Sequence, residues 1–361
     1  MTTLPTSRGG FLSRYRLLSI VIVLGLAFPF LVGLLDGQAP ADVIASEGGN
    51  AKFMMGLAIE VFILGLFALS YDLVLGVTGL LSLGQMFFFA TGAYGAGVML
   101  KSFEWPLAAV VLAVVVIGVV QALLVAVVIP RIGGALTFAL VTLGIATIFL
   151  ILVQSPEMKP WTGSDVGLQG TAGTVPEWIN TTDNRFRLYL VVFGLLMVAF
   201  LIYKRIVASP TGAVLVATRD NPDRASMLGY NIFWFQLFAL VVSSITAAVS
   251  GMLWAMHQPI VTPTVAGLGW MVTVLLMVIM GGIGTLSGAI VGAGTYRLLD
   301  FYLERWFGGG ATMLLGAAFI LIVLFLPYGI VGTWRVKSAQ VREGRDRLLR
   351  LVGIGGKPGG N

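Results

Sequence analysis

Glu60 and Asp72 are the two carboxylates inside an apolar run over residues 53–75. A carboxylate kept in hydrocarbon is expensive, so it faces a bundle interior or a cavity. Asp72 falls towards the end of the run, where its cost is small. Glu60 falls nearer the middle. It reads either as a residue of a solute path or its gate, or as a protonated partner in a helix-to-helix hydrogen bond. Other chemistry is sparse. The chain has no cysteine and a single histidine, His257. Disulfides, thiol catalysis and a histidine-based metal site are thereby excluded. His257 stands beside Gln258 and Pro259 at the end of an apolar segment and reads as an interface residue. No HExxH, GxSxG or paired-carboxylate pattern occurs in a plausible pocket, so no enzyme and no bound cofactor are expected.

The elements that would position these groups follow from composition. The 361 residues are 58% hydrophobic and 11% charged, with a mean hydropathy of +0.96. A soluble chain carries roughly 25% charged residues. The expected class is an all-α polytopic membrane protein. A span needs about 20 apolar residues. Candidates are 17–35, 53–75, 77–100, 106–129, 133–153, 188–203, 233–256, 268–282, 285–299 and 311–333. That gives about ten transmembrane helices, or eight if the weakest segments, 285–299 above all, do not cross.

Charge sets the expected orientation. The basic arm 1–16, the loop 204–232 with Lys204, Arg205, Arg219 and Arg224, the turn at Arg131 and the basic tail 335–361 belong on the cytoplasmic side. The acidic loop 36–52 and the mixed loop 154–187 belong outside. The membrane region is then 17–334. The tail ends in "GIGGKPGGN", which lacks Walker spacing and should not bind nucleotide.

Two stretches are unusually rich in glycine: "GLLSLGQMFFFATGAYGAG", Gly79–Gly97, and "GGIGTLSGAIVGAGTY", Gly281–Tyr296. Each contains Gly-x-Leu-Ser. Lipid tails are as apolar as leucine, so small residues that permit close backbone approach drive association in the bilayer. Broken, glycine-rich spans in the two halves of a chain point to an internal repeat around a path. Plain helix packing accounts for them equally well. The candidate path residues are Glu60, Ser82, Gly84, Gln85, Thr91, Gly92, Gly281, Gly282, Gly284 and Ser287. Replacing Gly84 or Gly92 by leucine is expected to impair transport more than expression.

The loop after residue 204 carries "SPTGAVLVATRDNPDRASMLGYNIFWF". Asp220 or Asn221 can cap a short helix from Pro222 that stops at Gly229. Such a helix between two spans suits a docking element, or an ordinary connection.

The stretches "GVTGLLSLGQMFFFATGAYGAG", "LVTLGIATIF", "WTGSDVGLQG", the loop just quoted, "VLLMVIMGGIGTLSGAIVGA" and "LFLPYGIVG" occur in this order. Together they resemble the permease subunits of branched-chain amino acid ABC importers, the LivM/LivH group, nearer the LivM side, over about Gly56–Trp334. The resemblance implies that Ala225-Ser-Met-Leu-Gly229 docks an ATPase subunit, with Arg219, Asp220, Asn221, Arg224, Ala225, Leu228 and Gly229 in the contact. Pro222 and Ser226 depart from the usual pattern. It further implies ATP and Mg bound by partner ATPase subunits, a sister LivH-type permease, a periplasmic solute-binding protein and a bacterial inner membrane, with no nucleic acid. The implied solute is leucine, isoleucine or valine, although relatives of this kind also handle urea and short amides. A stand-alone ion-coupled transporter would put its weight on Glu60, and a non-transporting scaffold would use the outer loop.

Overall fold

A computed structural model describes residues 11–46, 48–129, 134–180, 184–334 and 337. The expectations placed on Arg131 and on most of the basic tail lie outside these residues. The helices are α1 (Phe11–Leu35), α2 (Pro40–Ile44), α3 (Gly49–Asp72), α4 (Gln85–Lys101), α5 (Leu107–Ala126), α6 (Ala135–Gln154) and α7 (Lys159–Thr162). They continue with α8 (Arg185–Val207), α9 (Pro210–Asp220), α10 (Pro222–Met227), α11 (Ile232–His257), α12 (Leu268–Gly281), α13 (Ser287–Phe307) and α14 (Ala311–Phe325).

The fold is that of an all-α polytopic membrane protein. Among the described residues, the ten helices of 14 residues or more follow the ten apolar segments in order. Among the described residues, six stretches can cross a membrane by length and apolarity: Pro40–Val77, Leu107–Ala126, Leu136–Gln154, Arg185–Val207, Ile232–His257 and Ser287–Trp334. Val21–Leu35 and Leu268–Gly281 are shorter apolar helices. Three boundaries differ from the sequence reading. The segment 77–100 is helical only from Gln85, and 285–299 is helical from Ser287 to Phe307. Part of the expected arm 1–16 already belongs to α1.

The chain divides into two compact units, residues 1–59 with 176–195, and 60–175 with 196–361. In the first, the Tyr189 hydroxyl donates to Gly25 O at 2.6 Å and Phe30 meets Phe186 edge-on at 5.6 Å. Arg185 Nη1 donates to Lys52 O at 3.0 Å, so loop polar groups are satisfied from within the unit.

The second unit is built on close backbone contacts. A Cβ added at Gly92 of α4 would lie 2.0 Å from Ala248 O of α11, and one at Gly251 would lie 1.9 Å from Phe89 O. The pair α12 and α13 closes the same way, with a Gly292 Cβ placed 1.9 Å from Met277 O. At the far end of α11 a two-residue strand pair, β1 (Leu168–Gln169) with β2 (Ile260–Val261), is antiparallel. Around it Gly170 N donates to Pro259 O, Thr171 Oγ1 to Gln258 O, Tyr94 Oη to Val261 O and Lys101 Nζ to Gln169 O.

The Gly92 contact shifts the expectation stated from sequence. A leucine there meets a backbone carbonyl that cannot move aside, so the damage falls on the fold before it falls on transport. Gly92→Leu is expected to cost about 1–3 kcal/mol or more. Thermal unfolding in detergent would show a lowered midpoint together with a lowered yield.

Candidate functional site

The helix breaks are where the sequence does something a plain bundle does not need. After Asp72 the chain makes a π-helical turn, Leu73–Val77, and then runs without regular structure to Gln85. Gly79 sits there at φ +77, and Gly282 and Gly284 sit at φ +114 and +74 in the second break. Glycine tolerates this left-handed backbone, and an L side chain does not. Leu286, also at φ +52, has no such freedom and is held by its partners.

Asp72 is the main partner. It is fully buried. Gly284 N donates to its Oδ1 at 2.6 Å and Leu286 N to its Oδ2 at 2.9 Å. A carboxylate thus satisfies backbone donors that no helix and no water would serve. Wherever it lies along the span, the Asp72 carboxylate is buried within the protein and accepts from these two N–H groups. The two breaks touch at Gly76, where a Cβ would lie 2.3 Å from Asp72 Oδ1 and 2.4 Å from Gly284 N.

The candidate path residues separate into distinct places. Gln85 is completely buried and its Nε2 donates to Ser70 Oγ and Ser243 Oγ, both at 2.8 Å, tying α3, α4 and α11. Ser82 accepts from Gly84 N, and Gly84 packs against Thr142 of α6. Gly281 rests on Gly288 O, Gly282 faces Tyr328 O, and Ser287 donates to Thr285 O. Gly92 is the α4–α11 contact. Thr91 lines a cavity of about 470 Å³ with Tyr94, Ile117, Phe149, Trp161 and Thr162. The hydroxyls of Thr91, Tyr94 and Thr162 all donate to backbone carbonyls, which leaves the cavity wall apolar in character.

Glu60 lies in a second polar cluster. Arg297 Nε of α13 donates to its Oε2, Gln258 Nε2 donates to its Oε1 at 3.2 Å, and His257 Nε2 stands 3.7 Å from Oε1. Arg297 Nη1 also donates to Asp300 Oδ2 at 2.9 Å. Of the two readings of Glu60, the helix-to-helix partner takes the form of an ion pair with Arg297, and His257 belongs to the same cluster. Sequence reading singled out neither Arg297, inside the expected segment 285–299, nor Asp300, just beyond it. Their i, i+3 spacing was the available signal.

The loop of candidate docking residues is two helices. Ser209 caps α9, accepting from Gly212 N, and Asn221 caps α10, accepting from Arg224 N at 2.9 Å. Gly229, at φ +87, follows the end of α10. Leu215 of α9 joins Leu69, Leu73, Val77, Tyr203, Ala239 and Leu286 in one buried cluster. Ala225 is buried, while Asp220, Asn221, Arg224, Leu228 and Gly229 are exposed. Arg219 is exposed as well, and its Nη1 donates to Gly76 O at 2.6 Å.

Glu60 and Arg297 are mostly, not fully, buried; breaking such a pair strands the remaining charge, whereas removing both members does not. Arg297→Met is therefore expected to lower stability by about 3 kcal/mol, and Glu60→Gln with Arg297→Met to recover most of it. A double-mutant cycle on unfolding midpoints in detergent checks this. Additive losses would show that the pair carries no coupling.

The family model for "Branched-chain amino acid transport system / permease component" matches residues 53–326. The chain is 25% identical to the high-affinity branched-chain amino acid transport system permease protein LivM of Salmonella typhimurium, over 94% of this chain and 81% of that protein. It is 24% identical to the Escherichia coli protein of the same name, over 91% and 77%. It is 30% identical to a probable branched-chain amino acid transport permease protein LivH of Methanocaldococcus jannaschii, over 41% and 48%. No solved structure matches significantly. With a match that spans the helix breaks, the Glu60 cluster and both loop helices, the chain belongs to the family of branched-chain amino acid transport system permease components.

Proposed function

We propose that this chain is the transmembrane permease subunit of an ABC importer in a bacterial inner membrane. It forms part of the path for branched-chain amino acids delivered by a periplasmic binding protein. Partner ATPase subunits bind ATP and Mg and supply the energy, and a sister LivH-type permease completes the pore. The termini and the α9–α10 loop face the cytoplasm, in keeping with their basic charge.

The observation that carries this reading is the α9–α10 pair. α9 is rooted in the bundle through Leu215, yet α10 and its exit present Met227 and Leu228 at 85% and 72% exposure, beside Arg224. An apolar tip with a charged rim, on a short capped helix outside the spans, is the composition of a protein interface centre. The relatives' names, as transport permeases, support the same assignment. The chain itself offers almost no soluble domain that could hydrolyse ATP.

Tagging the chain and extracting it gently from its native membrane tests the reading. Recovery of ATPase subunits and a second permease is expected. Leu228→Asp, a change at an exposed residue, should reduce ATPase capture by about tenfold or more, as loss of an interface hot spot does. Solute uptake that follows an ion gradient, with the chain recovered alone, would overturn the assignment and move Glu60 to the centre.

A further inference from the structure

Arg219 is the last basic residue of α9, one position before the Asp220–Asn221 corner that starts α10. Its side chain stays 40% exposed and reaches from the surface to the helix breaks. Nη1 donates to Gly76 O at 2.6 Å. Gly76 lies in the π turn that closes the α3 segment, so its carbonyl is among the last-turn acceptors that a straight helix leaves without a donor. The negative end of a helix dipole favours a cation at that spot.

The contacts extend to both breaks. A Cβ at Gly79 would lie 2.5 Å from Arg219 Cγ and 2.9 Å from its Cβ, so the first break lies directly on the arginine stem. The position of a Cβ on Gly284, in the second break, is 3.3 Å from Nη1. On its other edge the guanidinium donates from Nε and Nη2 to Asp220 Oδ1, each at 3.3 Å. The group is thus largely committed within the chain. Beneath it, Leu215 shares one buried cluster with Leu73, Val77 and Leu286. Asp72 fixes the backbone of Gly284 and Leu286 from the opposite side.

We propose that Arg219 is a positioning residue that couples the α9–α10 pair to both Gly-x-Leu-Ser breaks, and is not a contact for the docking partner. The proposal rests on the reading of α9–α10 as the docking face. Displacement of α9 by a partner is passed to Gly76, Gly79 and Gly284 through this one side chain, because no Cβ at those glycines leaves slack between the backbones.

The test uses the complete complex of ATPase subunits, both permeases and binding protein, reconstituted in liposomes. Arg219→Met keeps the length of the stem and removes the donors, and Arg219→Lys restores one cation. With Met, ATPase capture and binding-protein-stimulated hydrolysis should stay within about twofold, while solute imported per ATP falls by about tenfold, the scale of energetic coupling between sites. Lys should recover most of the loss. Loss of ATPase capture in step with import would make Arg219 a docking contact and overturn the proposal, leaving the importer reading intact. Unchanged import per ATP would also overturn it. Failure of the unaltered chain to bind ATPase subunits would instead remove the docking reading itself, and the proposal with it.

A second measurement guards against a Met variant that does not fold. The chain contains no cysteine, so Ser226→Cys and Ile283→Cys can be spin-labelled on an otherwise unaltered background. Arg219→Gln, which removes the charge, should broaden the distance distribution between α10 and the second break, whereas Arg219→Lys should leave it close to that of the unaltered chain. An unchanged distribution in the Gln variant would overturn the coupling role.

Discussion

The carboxylate of Asp72 holds the backbone of another segment in a place where water cannot. In a bilayer every main-chain donor must find its partner within the protein, and helices do this locally. A chain that breaks its helices loses that guarantee. Here the N–H groups of Gly284 and Leu286 are taken by one buried side chain, and the left-handed turn at Leu286 is stabilised by the same bond. The glycines around it follow from this constraint. Gly76 leaves room for the carboxylate, Gly284 and Gly282 supply the turn, and Gly79 lets the arginine stem through.

Helices were legible in the sequence because hydropathy reports them. Each of the ten apolar segments has its helix, and the capping of α10 by Asn221, with Pro222 opening the first turn, was readable from residue types. The breaks were harder. "GLLSLG" is as apolar as a span, so a hydropathy window ran through it, whereas the conformation depends on glycines at positive φ. α9 was overlooked although Ser209-Pro210 is an ordinary start signal, since its amphipathic body looks polar in a loop. Small residues at the two Gly-x-Leu-Ser segments signalled close approach correctly, but not which backbones would meet. Gly92 against Ala248 is a contact between residues far apart in sequence, and no local pattern encodes the partner.

The charged groups tell the same story. Glu60 could be singled out as costly, yet its solution lay in Arg297, outside the segment in which the cost was counted. Conversely, Arg219 belongs to an exposed loop by its position in the chain, yet its guanidinium reaches from the surface to the backbone of the first break. For long cations the backbone position is a poor guide, because the stem reaches several ångströms along apolar surface.

The small β1–β2 tie has a mechanical meaning. It gathers the end of α11, the start of the link to α12, the loop around Gly170 and, through Tyr94 and Lys101, the far turns of α4. Six or so hydrogen bonds on so few residues make that end a clamp, whereas the opposite end of α11 meets the glycine breaks and the α9–α10 pair. The two rims of α11 are thus held by different means, one by a strand pair and the other by side chains reaching onto broken backbone.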